Sequence, residues 1–217
     1  MTTGGSTDAC GSPVLSGALL AVSVGRVGVL RGRDRDIVTA FKKDPVPGPV
    51  RLGRLGLAGD EHADGRHHGG PDKAVCVYPQ EHHGFWEQRL ALRLPASGEF
   101  GENFTVTGLV EQDVWLRDVF GVGDALVQVT VPRAPCYKIA ARHGEPRLAV
   151  LVQEAGYTGY MLRVLREGDV EAGQGMDLVD RAGPGVTVAE ANRVLNVDKR
   201  DVDGARSLIA SGALPEE

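Results

Sequence analysis

The amino-acid sequence predicts a mainly β fold that ends in a small helical tail. Glycine supplies 30 of the 217 residues, and this content favours a turn-rich fold with many short strands over a helical bundle. Short apolar and β-branched runs, bounded by turn residues, recur as far as about residue 182, as expected for strands. Beyond residue 185 the pattern becomes helical. A chain of this length fits one large domain, or one domain with a small appendage.

The predicted strands are short and are separated by glycine and proline. The clearest one is 125–131, because it is rich in β-branched residues. Residues 74–78 form a shorter apolar run, which we expect to be buried on both faces. The segments with strand character are 18–30 (one or two strands), 36–41, 74–78, 99–109 (a turn and a strand), 113–124 (two pieces), 125–131 and 170–179.

The predicted helices are fewer and lie mostly late in the chain. Pro79 is suited to the first turn of a helix, which the spacing of apolar residues extends over 80–92. Residues 146–155 and 160–166 also have the pattern of short helices. Residues 187–190 match a capping box, in which a threonine and a glutamate satisfy each other's backbone N–H groups. Helical spacing then continues almost to the end of the chain.

These patterns divide the sequence into three parts. Residues 1–17 are rich in Gly, Ser and Thr, and we expect a flexible N-terminal arm there. Residues 18–182 form the β-rich domain, and residues 183–217 form the short helical tail.

Charge and cysteine content exclude several classes of protein. The formal net charge of -5 argues against a general nucleic-acid-binding protein, which would normally be basic, but it is compatible with a local basic pocket for an anionic small molecule. Three cysteines form neither a CxxC pair nor an even framework, as is typical of a reducing compartment. No signal peptide and no membrane-spanning run is recognisable. We therefore expect a cytoplasmic protein that binds neither nucleic acid nor membrane.

The first candidate functional residue is Cys136, which lies in a proline-rich segment. Pro132 and Pro135 fix their own backbone angles and restrict the residues before them, so the thiol is presented by a stiff, extended stretch. Arg133 and Lys138 lie close to it in the sequence. Nearby cations favour the thiolate, which attacks electrophiles and binds soft metals. The structural alternative is that Cys136 fills a small apolar space at the end of a strand.

The second candidate is a polar loop over 59–74 that is rich in Gly, His and Asp. The adjacent glycines Gly69 and Gly70 allow consecutive backbone N–H groups to point at one anion, which is the geometry of a phosphate-binding nest. Lys73 adds a mobile positive charge and His68 a further donor. The loop is neither a Walker A sequence nor a dinucleotide-binding glycine motif.

Two other interpretations of this loop stay open. His62, His67, His68 and Cys76 are possible zinc ligands, but their spacing matches no familiar zinc finger or metalloprotease. The loop is also compatible with a solvated, histidine-rich turn that has no ligand.

A third group of polar residues is less specific. Asn103, in a Gly-Glu-Asn turn, is able to bond a polar ring edge, and Gly101 allows the backbone to approach a ligand, although a structural asparagine is equally common. The acids and glycines of 118–124 indicate a turn between strands. We assign packing or solvent-exposed positions, and no functional role, to His82, His83 and Trp86.

Taken in order, these strings closely resemble the MOSC domain, the family of molybdenum-cofactor sulfurase C-terminal domains. The resemblance extends over about residues 18–180, and its motifs are specific in combination. The tail resembles the small three-helix domain of the YiiM-like branch, although its length leads us to expect only part of that domain. The matching segments are 59–60, 68–75, 78–79, 101–103, 123–125 and 132–138, with 156–168 and 186–191 pointing to the branch.

The resemblance implies a MOSC-type β-barrel with a few helices and a site built around one cysteine. It implies the molybdenum–molybdopterin cofactor, with Cys136 as the metal ligand or as a carrier of sulfur. His68, Gly69, Gly70 and Lys73 would then contact the cofactor phosphate. Arg133 and Asn103 would contact the pterin or the phosphate.

The resemblance also implies a function. Our leading hypothesis is a molybdenum-dependent oxidoreductase that reduces N-hydroxylated small molecules, with electrons from a separate donor protein because no flavin or iron–sulfur motif is recognisable in the chain. The first alternative is a sulfur-transfer protein that uses a Cys136 persulfide. The second is a non-catalytic pterin-binding module. The residues alone do not separate these three.

Overall fold

A closed barrel of seven strands forms the centre of the protein. The structure is a computed structural model, and it describes residues 15–32, 35–65, 69–91, 93–181 and 185–215. Its strands are β1 (Ser16–Val24), β2 (Gly28–Arg31), β3 (Asp36–Thr39), β4 (Asp44–Pro45), β5 (Val50–Gly53), β6 (Gly56–Leu57), β7 (Val75–Pro79), β8 (Phe104–Thr107), β9 (Val119–Val122), β10 (Ala125–Pro132), β11 (Tyr160–Arg166), β12 (Gly168–Val170) and β13 (Gly175–Asp180).

The helices lie between the barrel strands or after them in the sequence, and all of them are short. The α helices are α1 (His83–Leu90), α2 (Tyr137–His143), α3 (Leu148–Ala155), α4 (Val188–Asn192) and α5 (Val202–Ala210). Two 3-10 turns (Pro71–Lys73 and Gln80–His82) precede β7 and α1, and a π-helical turn (Arg193–Val197) follows α4 directly. Among the described helices, none is long and apolar enough to cross a membrane.

The barrel is closed by the pairing of β13 with β1. Its strand order is β1-β13-β9-β10-β11-β7-β8, after which β8 pairs with β1 again. Every neighbouring pair is antiparallel except β7 and β8, which are parallel. Closure removes the exposed sheet edges that an open sheet would leave. The predicted mainly β, barrel-type fold is confirmed.

The strands form the core through the expected alternation of buried and more exposed side chains. Along β10, buried side chains alternate with half-buried ones over most of its length. In β7, all five residues are buried, as predicted. The reason is that β7 faces the barrel core on one side and a second apolar cluster, with Tyr78, Trp86 and Phe100, on the other.

The segment 160–166 corrects one prediction. The sequence pattern predicted a short helix, but the structure has the strand β11, which pairs with both β10 and β7. Tyr160, Leu162 and Val164 are buried on one face. Their spacing is two residues, the period of a strand, and the central position in the sheet provides hydrogen-bond partners on both sides.

Two further differences lie on either side of β10. Of the two strands predicted within 113–124, only β9 forms. The residues before it form a turn that Asp118 organises, because its carboxylate accepts from the Trp115 backbone N–H at 2.8 Å and pairs with Arg181. Helix α2 had no prediction. It begins directly after Cys136, so the stiff proline-containing stretch ends in a helix start.

The C-terminal tail packs on the barrel. Backbone N–H groups of Leu116 and Val188 donate to the carbonyls of Val186 and Val114, both at 2.9 Å, which joins the tail to the segment before β9. Val188, Ala191 and Val194 are buried in the same apolar cluster as the barrel interior. The side chain of Thr187 caps α4 by accepting from the Glu190 N–H at 3.1 Å, which is one half of the predicted capping box. Both oxygens of the Glu190 carboxylate accept from Arg193. The tail consists of α4, the π-helical turn and α5.

Candidate functional site

A cavity of about 800 Å³ lies where the ends of several barrel strands meet the tail. Its wall is formed by the loop after β3, the polar loop before β7, the segment that joins β10 to α2, and the π-helical turn. The ionisable and polar residues that line it include Lys43, His62, Lys73, Cys76, Asn103, Arg133, Cys136 and Lys138.

Cys136 lies at the junction between β10 and α2. Its backbone is extended (φ -116°, ψ 169°), and its carbonyl accepts from the Ile139 N–H at 3.1 Å in the first turn of α2. The residue is half-buried and reaches the cavity together with Pro132 and Pro135. The thiol therefore stands on a restricted backbone and is accessible from the cavity.

Arg133 is buried and one of its donors has no partner. Its backbone N–H donates to the Gly159 carbonyl at 3.0 Å, and the Gly159 N–H donates to the buried Glu111 carboxylate at 2.7 Å, so its position is fixed from the neighbouring strand. The Nη1 atom is buried and finds no hydrogen-bond acceptor among the described residues. Because a buried, unpaired guanidinium donor is costly and Arg133 lines the cavity, this residue is suited to bind an anionic ligand there.

A buried ion pair that sequence reasoning missed includes Lys43, which lines the same cavity as Arg133. The Nζ atom of Lys43 lies 2.5 Å from Asp60 Oδ1, and both side chains are almost fully buried. Asp60 also accepts from the Gly25 backbone N–H at 2.7 Å and from the side chain of Asn103 at 2.9 Å. Asp60 was visible only as part of a motif, and Lys43 belongs to no motif, so only the folded chain brings them together.

Asn103 connects three parts of the wall. Its Oδ1 accepts from the Cys76 backbone N–H at 3.1 Å, and its Nδ2 donates to the Ser23 carbonyl at 3.2 Å and to Asp60. Both ends of the amide therefore hold protein groups in place. The expected contact of Asn103 with pterin or phosphate stays a prediction. Gly101, at φ +74°, packs against the ring of Phe41, where a Cβ atom would lie 2.7 Å from a ring carbon.

The two glycines before β7 both have a backbone conformation that favours glycine, and the phosphate-binding nest stays a prediction. Gly69 and Gly70 have φ angles of +95° and +90°, a region that side chains other than glycine rarely adopt. Gly69 and Lys73 line the cavity, whereas Gly70 is not among its lining residues. A Cβ atom on Gly69 would lie 3.1 Å from the ring of His62.

Some predicted ligands cannot be placed. His68, expected at the phosphate, lies outside the described residues, and so does His67, which the zinc alternative requires together with it. The zinc alternative therefore stays untested.

His62 and Cys76 add two titratable groups to the cavity. Burial lowers the pKa of His62, Asp60 opposes this effect, and the charges of Lys43 and Lys138 lower it further. Burial raises the pKa of the Cys76 thiol, and the charge of Arg133 only partly offsets this effect. His62 is therefore neutral at pH 7, and Cys76 is a protonated thiol inside the wall.

The structure thus brings together most of the residues that the sequence singled out. Gly69, Lys73, Asn103, Arg133 and Cys136 share one cavity, although they come from separate segments of the chain. Sequence reasoning missed Lys43, as well as Leu195 and Asn196 of the tail, which also line the cavity.

The chain is similar to known proteins over most of its length. The chain is 41% identical over 199 residues to YflK of Bacillus subtilis (strain 168), a match that covers 92% of this chain and 90% of that protein. It is 38% identical to YiiM of Escherichia coli (strain K12), over 81% of this chain and 79% of that protein. A protein of Gibberella moniliformis (strain M3125 / FGSC 7600) named "Reductase" is 34% identical over 82% of this chain, but the match covers 32% of that longer protein.

The fold has a close counterpart among solved structures. The crystal structure of YiiM from Geobacillus stearothermophilus superimposes with a TM-score of 0.77, at 33% sequence identity, over 92% of this chain and 93% of that one. Residues 64–177 match the family model of the MOSC domain, and they include the glycine pair, Asn103, Arg133 and Cys136. The chain therefore belongs to the MOSC domain family.

Proposed function

We propose that this protein is a molybdenum-cofactor-dependent reductase of N-hydroxylated compounds, in which Cys136 is the protein ligand of the metal. The observation that carries the proposal is that Cys136, with an accessible thiol, and Arg133 line the same cavity, and that the buried Nη1 atom of Arg133 has no acceptor among the described residues. Membership of the MOSC family and the relative named as a reductase support a role in reduction linked to this cofactor.

The cavity residues fit such a cofactor. Lys73, Arg133 and Lys138 line the wall, so a phosphate group would be bound by several cations, among them the Arg133 guanidinium, whose Nη1 atom has no acceptor among the described residues. A thiolate from Cys136 is a soft ligand of the type that suits a sulfur-bound metal. The volume of about 800 Å³ is in the ordinary range for a cofactor or small-molecule site.

The proposed reaction removes one oxygen atom from nitrogen. In R–NHOH + 2 e⁻ + 2 H⁺ → R–NH₂ + H₂O, the N–O bond breaks, the nitrogen gains two electrons and the oxygen leaves as water. The bound cofactor supplies the two-electron chemistry by oxygen-atom transfer. A separate redox protein, which is oxidised in turn, provides the electrons. The chain itself binds, orients and encloses the reactants.

His62 is the best-placed group in the described cavity for handling a proton. A neutral imidazole has one N–H donor and one acceptor nitrogen, and burial together with Lys43 and Lys138 keeps His62 in that form. In this form the imidazole is able to hydrogen-bond a hydroxylamine through its N–H group, or to accept a proton through its other nitrogen.

A turnover assay tests the proposal. The protein is produced in a host that makes molybdopterin, and a chemically reduced viologen replaces the donor protein. We expect one amine product for every two electrons consumed from an N-hydroxylated heteroaromatic substrate. Metal-loaded protein that reduces no N-hydroxylated compound would refute the proposal. A sulfur adduct on Cys136, in protein without metal, would favour the sulfur-transfer function instead.

A further inference from the structure

Two uncharged side chains of the C-terminal tail reach the cavity. Leu195 and Asn196 belong to the π-helical turn, whereas the other described lining residues lie between Thr39 and Met161. The side chain of Leu195 is 38% exposed. The tail therefore forms part of the wall of the cavity as well as packing on the barrel.

The turn that carries these residues is held in an uncommon conformation. The Asp198 N–H donates to the Arg193 carbonyl at 2.8 Å, a bond from residue i+5 to residue i. The Arg193 guanidinium bonds Glu190 at 2.7 Å and Asp201 at 2.5 Å, so it clamps the turn between α4 and α5. π-Helical turns are rare and are frequently found at functional sites.

Hydrogen bonds fix which end of the Asn196 amide is available. Its Nδ2 donates to Asn192 Oδ1 at 3.1 Å, and this buried oxygen also accepts from the side chain of Gln153 in α3. The Oδ1 atom of Asn196 accepts no bond from the described residues. It is therefore a free acceptor on a side chain that lines the cavity.

The two walls of the cavity differ in character. The barrel side carries Lys73, Arg133 and Lys138, which suit an anionic cofactor, together with the acidic residues Glu61 and Asp64. The tail side offers an aliphatic side chain and an amide oxygen. A carbonyl oxygen accepts hydrogen bonds from N–H groups and has no hydrogen to donate to an anion. The tail side is accordingly the side that suits an uncharged substrate.

We propose that Leu195 and Asn196 determine substrate specificity, Leu195 by packing on a flat ring and Asn196 Oδ1 by accepting from an N–H group of that ring. This inference rests on the proposed function. It predicts that the protein prefers flat N-hydroxylated heteroaromatic compounds that carry a ring N–H. Analogues with that nitrogen methylated, and small aliphatic hydroxylamines, are disfavoured because they lack the N–H or the ring.

The test compares three variants of the full-length, cofactor-loaded protein on two substrates. The substrates are an N-hydroxylated heteroaromatic with a ring N–H and its ring N-methyl analogue. The variants are Asn196→Leu, Leu195→Ala and the control Val197→Ala, which changes an exposed residue of the same turn that does not line the cavity. Molybdenum and pterin contents, with thermal melting, check that each variant is folded and loaded.

We expect Asn196→Leu to lower kcat/KM about tenfold for the N–H substrate and less than about twofold for its methylated analogue, because one hydrogen bond is lost. Leu195→Ala should lower kcat/KM about tenfold for both rings, mainly through KM. Val197→Ala should change neither. Equal losses on both substrates for Asn196→Leu, or wild-type values in both site variants, would overturn the inference and leave the reductase function standing. A loaded wild-type protein that turns over neither substrate nor any other N-hydroxylated compound would refute the function itself.

Discussion

The Nζ atom of Lys43 lies 2.5 Å from Asp60 Oδ1 inside the wall of the cavity. Asp60 also binds the side chain of Asn103, whose amide holds the backbone of Cys76 on β7. One buried carboxylate thus connects the loop after β3, the polar loop and the start of β8. The shape of the cavity depends on this network.

Breaking the pair should destabilise the fold. Lys43→Met leaves the Asp60 carboxylate buried without its cation, and we expect the free energy of unfolding to fall by about 3 kcal/mol. Lys42→Met is the matched control, because the side chain of Lys42 is 61% exposed and its ion pair with Asp44 is solvated. The control should change the free energy by less than about 0.5 kcal/mol. Urea denaturation measures both, and equal effects of the two substitutions would show that the pair does not stabilise the fold.

Arg133 should be needed to retain the cofactor. Arg133→Leu removes the guanidinium whose Nη1 atom is buried without an acceptor among the described residues, and the phosphate would lose a charge-assisted bond of the strong type. We expect the pterin content of the purified protein to fall about tenfold or more. Arg89→Leu, at an exposed position in the last turn of α1, is the control and should retain pterin. Fluorescence of the oxidised pterin provides the measurement, and full retention by Arg133→Leu would contradict the assigned role.

His83 should make stability depend on pH. Burial lowers the pKa of this histidine from 6.5, and its Nε2 atom is buried without a hydrogen-bond partner among the described residues. The unfolded chain therefore binds a proton below about pH 6.5 that the folded chain resists, so stability falls as the pH decreases through that value. His83→Leu should lose less stability than the wild type between about pH 7 and pH 5.5. His62 has the same direction of shift and keeps part of the slope. Denaturation curves at several pH values test this prediction, and an unchanged slope in His83→Leu would contradict it.

The sequence predicted the barrel and several of the residues that line its cavity, but not the complete cavity wall. Cys136 and Arg133 were recognisable because two prolines and a family motif surround them, and 125–131 was recognisable because β-branched residues define a strand. By contrast, the sequence of β11 was predicted to form a helix, because a segment of seven residues is too short to distinguish the period of a helix from the alternation of a strand.

The residues that sequence reasoning missed reach the site through tertiary structure. No sequence motif distinguishes Lys43 from the other lysines, and only the fold places it against Asp60. Leu195 and Asn196 lie about sixty residues beyond Cys136, and only the docking of α4 on the barrel and the π-helical turn bring them to the cavity. No local sequence pattern predicts such long-range contacts.

The metal content of a Cys136 variant tests the central claim most directly. Wild type, Cys136→Ala and Tyr137→Ala are purified from a molybdopterin-producing host, and molybdenum and pterin are measured per chain, with thermal melting to verify folding. Tyr137 is the control, because it is adjacent to Cys136, 54% exposed and not part of the cavity lining. If Cys136 is the ligand, the wild type and Tyr137→Ala carry both molybdenum and pterin, whereas folded Cys136→Ala loses the molybdenum. A folded Cys136→Ala protein with the molybdenum content of the wild type would contradict the account.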